Sequence, residues 1–238
     1  MGIDISPKRE ITLNESHDLR LVTAPEKNPK ISRLKGFHVS SVYRRTKSGD
    51  FERDGNPFIY ALKKTSGYKI TTKELMRFAP SFYSILDKIV ATHEAEFVLS
   101  MPSSHPIADY IAKRVARRIG ATQVTDFFIK QTVSEALEQL DSESVSKRHS
   151  KELKSQVNTF QRLPPDAEVS LKAIPNKIRR YFPPVAVNLD YTGPTVQGRI
   201  ILVDDLLSTG TTLVSAKNLA TGLGLTCSGA ICLLSDLG

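Results

Sequence analysis

The sequence predicts an α/β fold, a doubly wound parallel sheet with an N-terminal α+β appendage, and three stretches of the chain predict it. Residues 96–129 read as a short apolar strand (96–100), a helix (106–119) closed by Gly120, and a second strand (122–129). That order requires a parallel crossover. Residues 199–223 repeat the pattern: a run of Ile200, Ile201, Leu202 and Val203, a loop, then a helix over 211–223. Residues 226–234 supply a further apolar strand. Strands that are apolar throughout, rather than alternating, are those buried on both faces of a parallel sheet.

A chain of 238 residues with 40% hydrophobic and 24% charged residues can bury a conventional core, and neither disorder nor a membrane span is suggested as its overall class. The longest apolar runs, 200–203 and 230–234, fall far short of the roughly 20 residues a bilayer span needs. The polar residues 1–10 do not read as a secretory signal. No membrane partner is expected. Cys227 and Cys232 share one late strand, a spacing that suits neither a disulfide framework nor a metal site, so a reducing cytoplasm is the expected location. The net charge of +8 favours anionic partners, with phosphate esters, nucleotides and nucleic acid all left open.

Ahead of the core, residues 1–35 mix Pro, Asn, Ser and charges and read as an arm with little core. Residues 37–43 and 56–62 read as two strands of a hairpin around the turn-rich stretch 47–55. Residues 71–93 read as a helix with Thr72 at its N-cap and Pro80 as an interruption. The expected division is residues 1–95 as arm and appendage, which would supply any hood over the site, and 96–238 as core. Within the core, residues 131–161 are long and polar, with acidic residues first and basic ones later, and read as a mobile loop that is partly helical at best. The prolines of 164–194 allow only short elements.

The chemistry concentrates in residues 199–213, RIILVDDLLSTGTTL. Ligands of open α/β sheets bind past the carboxyl ends of the strands, where Asp204 and Asp205 fall. The loop after them, Leu206, Leu207, Ser208, Thr209, Gly210, Thr211 and Thr212, leads into a helix. Its amides and hydroxyls suit a phosphate, and Gly210 lets the backbone come close. Two carboxylates beside a phosphate cradle make sense if they read vicinal hydroxyls, and a phosphate with vicinal hydroxyls is a ribose 5-phosphate. The bland alternative is an Asp pair that caps the next helix. No Gly-x4-Gly-Lys-Ser/Thr occurs, and Gly222 and Gly224 lack a third glycine in register, which argues against Walker-type and Rossmann sites.

Across VDDLLSTGTT the chain resembles the type I phosphoribosyltransferases, whose signature is four apolar residues, two acidic residues and a loop ending Thr-Gly-x-Thr. The likeness spans roughly residues 96–234 and is specific at the acidic motif. It implies phosphoribosyl pyrophosphate as ligand, with Asp204 and Asp205 on the ribose hydroxyls and residues 206–212 around the 5-phosphate. It implies Mg²⁺, held mostly by substrate and water and met by Asp204 and Asp205 through water. The reaction would transfer ribose 5-phosphate to a nitrogenous acceptor and release pyrophosphate.

The loop MPSSHP, residues 101–106, takes the place where such proteins bind pyrophosphate, with Ser103 and Ser104 as the matching residues. Helix capping by either serine is the alternative. His105 has no nucleophile-elbow context. Residues 131–161 resemble the family's closing loop, and through Gln131, Lys147, Arg148 and the run 157–160 they loosely echo its competence-associated ComF-like group. Lys130 and Arg148 become candidates to neutralise pyrophosphate, against the reading of a solvated charged face. Two rivals stand beside the enzyme: a non-catalytic sensor of phosphoribosyl pyrophosphate or nucleotides, and a nucleic-acid-associated module or part of a defence or toxin assembly. For the latter, the basic helix 112–118 is the candidate surface. A homo-oligomer or a place in a larger complex is expected.

Overall fold

The computed structural model describes residues 1–46, 56–140, 146–170 and 173–237. It is a mixed α/β protein whose central sheet is mostly parallel. Strands β1 (Gly2–Ile5) and β2 (Ile11–Asn14) form a separate antiparallel pair. The main sheet contains β3 (Leu21–Val22), β4 (Lys30–Leu34), β5 (Phe37–Arg45), β6 (Phe97–Ser100), β7 (Thr122–Val124), β10 (Arg199–Leu206) and β11 (Thr226–Leu237). Its parallel part runs β5-β11-β10-β6-β7, and β3 and β4 both pair antiparallel along the outer edge of β5. Two short strands, β8 (Phe128–Lys130) and β9 (Val185–Val187), pair antiparallel apart from it.

Alternation along β10 divides the core. Ile201 and Val203, with Ile231 and Leu233 of β11, meet helices α3 (Ala79–Val90) and α4 (Ile107–Ile119) through Ile85, Leu86, Ile111 and Val115. Ile200 and Leu202, with Ala230 and Cys232, meet helix α7 (Thr211–Gly222) through Leu213, Ala216 and Ala220. Successive residues of a strand face opposite sides, so α4 and α7 cover opposite faces. Each fully buried Ile, Leu or Val among them contributes about 1.5–3 kcal/mol. Among the described residues no helix is long and apolar enough to cross a membrane.

Several early elements differ from the sequence expectation. Ile3, Ile11, Leu13, Leu21 and Val22 are buried, so residues 1–35 carry core after all. The expected hairpin is not formed: β5 pairs with β11 in the central sheet, and residues 57–62 are helix α1 (Pro57–Leu62). Pro57 sits in the first helical turn, where its missing N–H costs nothing. The turn-rich stretch 47–55 lies outside the described residues. Since β5 separates β3 and β4 from β11, the first 95 residues supply the sheet with a strand as well as an attachment beside it.

The helix expected over 71–93 is two helices, α2 (Thr72–Arg77) and α3, with Pro80 in the first turn of the second. Its cap is Thr71, not Thr72: the Thr71 hydroxyl accepts from the Glu74 amide at 3.1 Å. The strand expected over 122–129 breaks into β7 and β8 around Asp126, whose φ is +59°. Residues 131–161 also hold more structure than a polar loop: α5 (Val133–Glu138) and α6 (Ser150–Phe160), with 141–145 outside the described residues. Thr132 and Glu135 form a reciprocal capping box on α5. Val133, Ala136, Leu153 and Phe160 pack with Ile174, Ile178 and Phe182 into a small apolar cluster of their own.

Candidate functional site

The site lies where β10 ends. Ile200, Ile201, Leu202 and Val203 are fully buried between β6 and β11, so the strand's direction is set before the first carboxylate is reached. Asp204 is half-buried, and its Oδ1 accepts the Asp205 amide at 2.8 Å. Asp205 is buried, with Lys63 Nζ 2.5 Å from its Oδ2. That contact is an ion pair without hydrogen-bond alignment, and Oδ2 has no hydrogen-bond partner among the described residues. Burial pushes the Asp204 carboxyl up to about 7, helped by the neighbouring Asp205 charge and opposed by the Asp205 amide and by Lys63.

The loop after β10 is held at its start and open beyond it. Leu207 N donates to Leu234 O at 2.8 Å, and Leu207 O accepts from Arg45 Nη2 at 2.7 Å. Leu207 is buried and Leu206 still belongs to β10, so both anchor the loop, and donors free to meet a ligand begin at Ser208. Ser208 and Thr209 are exposed, and among the described residues the amides of Ser208, Thr209 and Gly210 make no hydrogen bond. Gly210, at φ +71°, is the N-cap of α7. The positive φ favours glycine, and a Cβ there would lie 2.3 Å from Leu34 Cδ1, so that side chain would also have to move. The Thr209 and Thr211 hydroxyls lie 2.9 Å apart, with Thr212 half-buried one residue on. Open amides at the start of a twelve-residue helix, flanked by hydroxyls, suit an anion.

The second predicted loop adjoins the first. Met101 N donates to Val203 O at 2.8 Å, so residues 101–106 leave β6 beside the residue that precedes Asp204. Ser103 and Ser104 are exposed. The Ser103 hydroxyl accepts from His105 N at 3.3 Å, and Ser104 Oγ lies 3.0 Å from His105 Nδ1. Neither caps α4, whose N-cap is Pro106 without a side-chain bond. The other two candidates, Lys130 and Arg148, come from later elements. Lys130, on β8, pairs with Glu168 at 2.6 Å, and Arg148 is exposed in a short turn before α6. Among the described residues neither forms an ion pair with Asp204 or Asp205.

Two residues that sequence reasoning passed over, both from the first 95, contact the acidic pair or the loop after it. Lys63 follows α1 and pairs with Asp205. Arg45 ends β5 and is buried; it donates to Leu207 O, to Asn56 Oδ1 at 2.6 Å and, through Nε, to Ser235 O. Burial lowers its pKa to about 10, which leaves it charged at neutral pH.

The raised Asp204 pKa has a thermodynamic consequence. A carboxyl that holds its proton more tightly when folded gives stability that is present at acid pH and lost as pH rises from its unfolded value near 3.8 towards about 7. Asp204→Asn is therefore expected to flatten the fall in melting temperature between about pH 4 and pH 7. An unchanged pH dependence in the variant would show that Asp204 is not the group responsible.

In comparisons with known proteins, no family model and no curated protein matches the chain. Among solved structures, the protein TT1426 from Thermus thermophilus is similar at 16% identity and a TM-score of 0.32, over 63% of this chain and 79% of that one. A likeness at that score carries no argument about fold or function.

Proposed function

We propose that the carboxyl ends of β6 and β10 bind phosphoribosyl pyrophosphate and that the protein is a phosphoribosyltransferase. One observation carries the reading: a carboxylate pair at the end of a buried parallel strand, followed directly by a glycine-capped helix start with open amides. In this reading the sheet is doubly wound, and the point where α4 and α7 depart to opposite faces, between β6 and β10, is the crevice in which such sheets take ligands. Ser208 to Thr212 hold the 5-phosphate, Asp204 and Asp205 accept the ribose hydroxyls, and the loop at Ser103 and Ser104 faces the pyrophosphate.

Asp204 and Asp205 would meet Mg²⁺ through water, and the ion would supply neutralisation of the leaving pyrophosphate. The protein's own contribution is position: it holds the ribose while the C1–O bond to pyrophosphate breaks and a nitrogen of the acceptor forms the new bond.

A second reading is favoured by α5 and α6. Their shared apolar cluster packs α5 and α6 against Ile174, Ile178 and Phe182, where a catalytic flap is expected to be open without ligand. A sensor that binds the same ligand without turnover needs no such flap. Isothermal titration with phosphoribosyl pyrophosphate and Mg²⁺, followed by a pyrophosphate-release assay against pooled bases and amines, separates the readings. Binding with release is the expected result. Binding without release favours the sensor, and no saturable binding removes both.

A further inference from the structure

The outer face of α3 and α4 carries an alternating ladder of rings and guanidinium groups. Arg118 Cζ lies 4.9 Å from the Tyr83 ring centre, Arg114 Nε donates to the Tyr83 hydroxyl at 3.3 Å, and Arg114 Cζ lies 3.1 Å from the Tyr110 ring centre. Tyr110 is 57% exposed and Tyr83 36%. Lys113 and Arg117 are exposed on the same helix, about one turn of 5.4 Å apart along the axis. Arg118 is matched by Asp87 at 2.6 Å. Among the described residues no ion pair neutralises Lys113, Arg114 or Arg117. The acidic residue of α4 itself, Asp109, is engaged inward by the Ser100 hydroxyl at 2.5 Å.

We propose that this face binds single-stranded nucleic acid, with phosphates on Lys113, Arg114 and Arg117 and a base stacked on Tyr110. Uncompensated cations spaced by helical turns complement a polyanion. A small anion would be served by one of them and leaves the exposed rings unexplained. Aromatic and guanidinium planes open to solvent are the platform on which unpaired bases stack, whereas the bases of a duplex are already stacked on one another. The inference is independent of the ligand at β10, because no residue is shared between the two sites.

The test is fluorescence anisotropy with labelled oligo(dT) and oligo(U) of about 20 nucleotides and a duplex of equal length, in about 50–200 mM KCl. Binding of one or both single strands is expected, the two arms showing whether deoxyribose or ribose is preferred. Lys113→Gln with Arg117→Gln should lower affinity about tenfold and flatten the log–log salt slope by about 1.4, two single-strand contacts at about 0.7 each. Tyr110→Ala should cost about tenfold with the slope unchanged, a loss of stacking. Melting temperatures equal to wild type will show that these exposed substitutions leave the fold intact. No binding to either strand, wild-type affinity in both variants, or equal affinity for duplex would each overturn the proposal.

Discussion

Asp204→Asn combined with Asp205→Asn is expected to weaken binding of phosphoribosyl pyrophosphate by about 10² or more, while affinity for inorganic phosphate holds or rises. Hydrogen bonds to an ionised acceptor are worth about 1.5–3 kcal/mol each, so losing two ribose contacts accounts for the first effect. The second follows from charge. With Asp205 neutral, the Lys63 ammonium, 2.5 Å from its Oδ2, loses the anion that it now offsets and adds a free cation beside the phosphate loop. Isothermal titration of both proteins with the intact ligand, ribose 5-phosphate and inorganic phosphate reads the two effects separately. An equal loss for all three would assign the aspartates to phosphate or to folding, and the sugar reading would fall.

The acidic pair was legible because its context is local. A buried strand, two carboxylates, a glycine that must adopt positive φ and a helix start all lie within 199–213, and each makes a backbone demand visible in the residue types. Arg45 and Lys63 were not legible for the opposite reason. Arg45 reaches the site through the pairing of β5 with β11, 190 positions from Ser235, and Lys63 follows α1, more than half the chain before Asp205. Nothing near residue 45 says which strand will lie beside it. One signal was available: β5 reads FHVSSVYRR, a run buried almost throughout that ends in two arginines, which is unusual for a strand at a solvated hairpin.

The misread segments have similar causes. Residues 56–62 contain β-branched and aromatic residues, yet Pro57 marks a helix start, and local context won over strand propensity. In residues 131–161 the charges dominate the composition, while Val133 with Ala136, and Leu153 with Val157 and Phe160, repeat at helical spacing. Thr132 and Glu135 already spelled the capping box. What no local pattern could supply was the partner surface: Ile174, Ile178 and Phe182 come from a stretch punctuated by proline, where short turns rather than regular elements deliver the apolar side chains.

Arg45→Met should be the most destabilising single change at the site, by about 3–5 kcal/mol, because three neutral acceptors lose one shared donor group. The substitution keeps most of the apolar stem but strips the donors from Leu207 O, Asn56 Oδ1 and Ser235 O. Each buried acceptor left unmatched costs about 1–3 kcal/mol. Arg45→Lys should recover less than half of the loss, because one ammonium cannot span three acceptors that a planar guanidinium reaches at once. Denaturant unfolding of the three proteins measures this, and a midpoint shift at constant slope would locate the effect in the native state. If Arg45→Met lies within about 1 kcal/mol of wild type, burial of the cation has cancelled its hydrogen bonds. The start of the loop would then be held by the Leu207 to Leu234 bond alone.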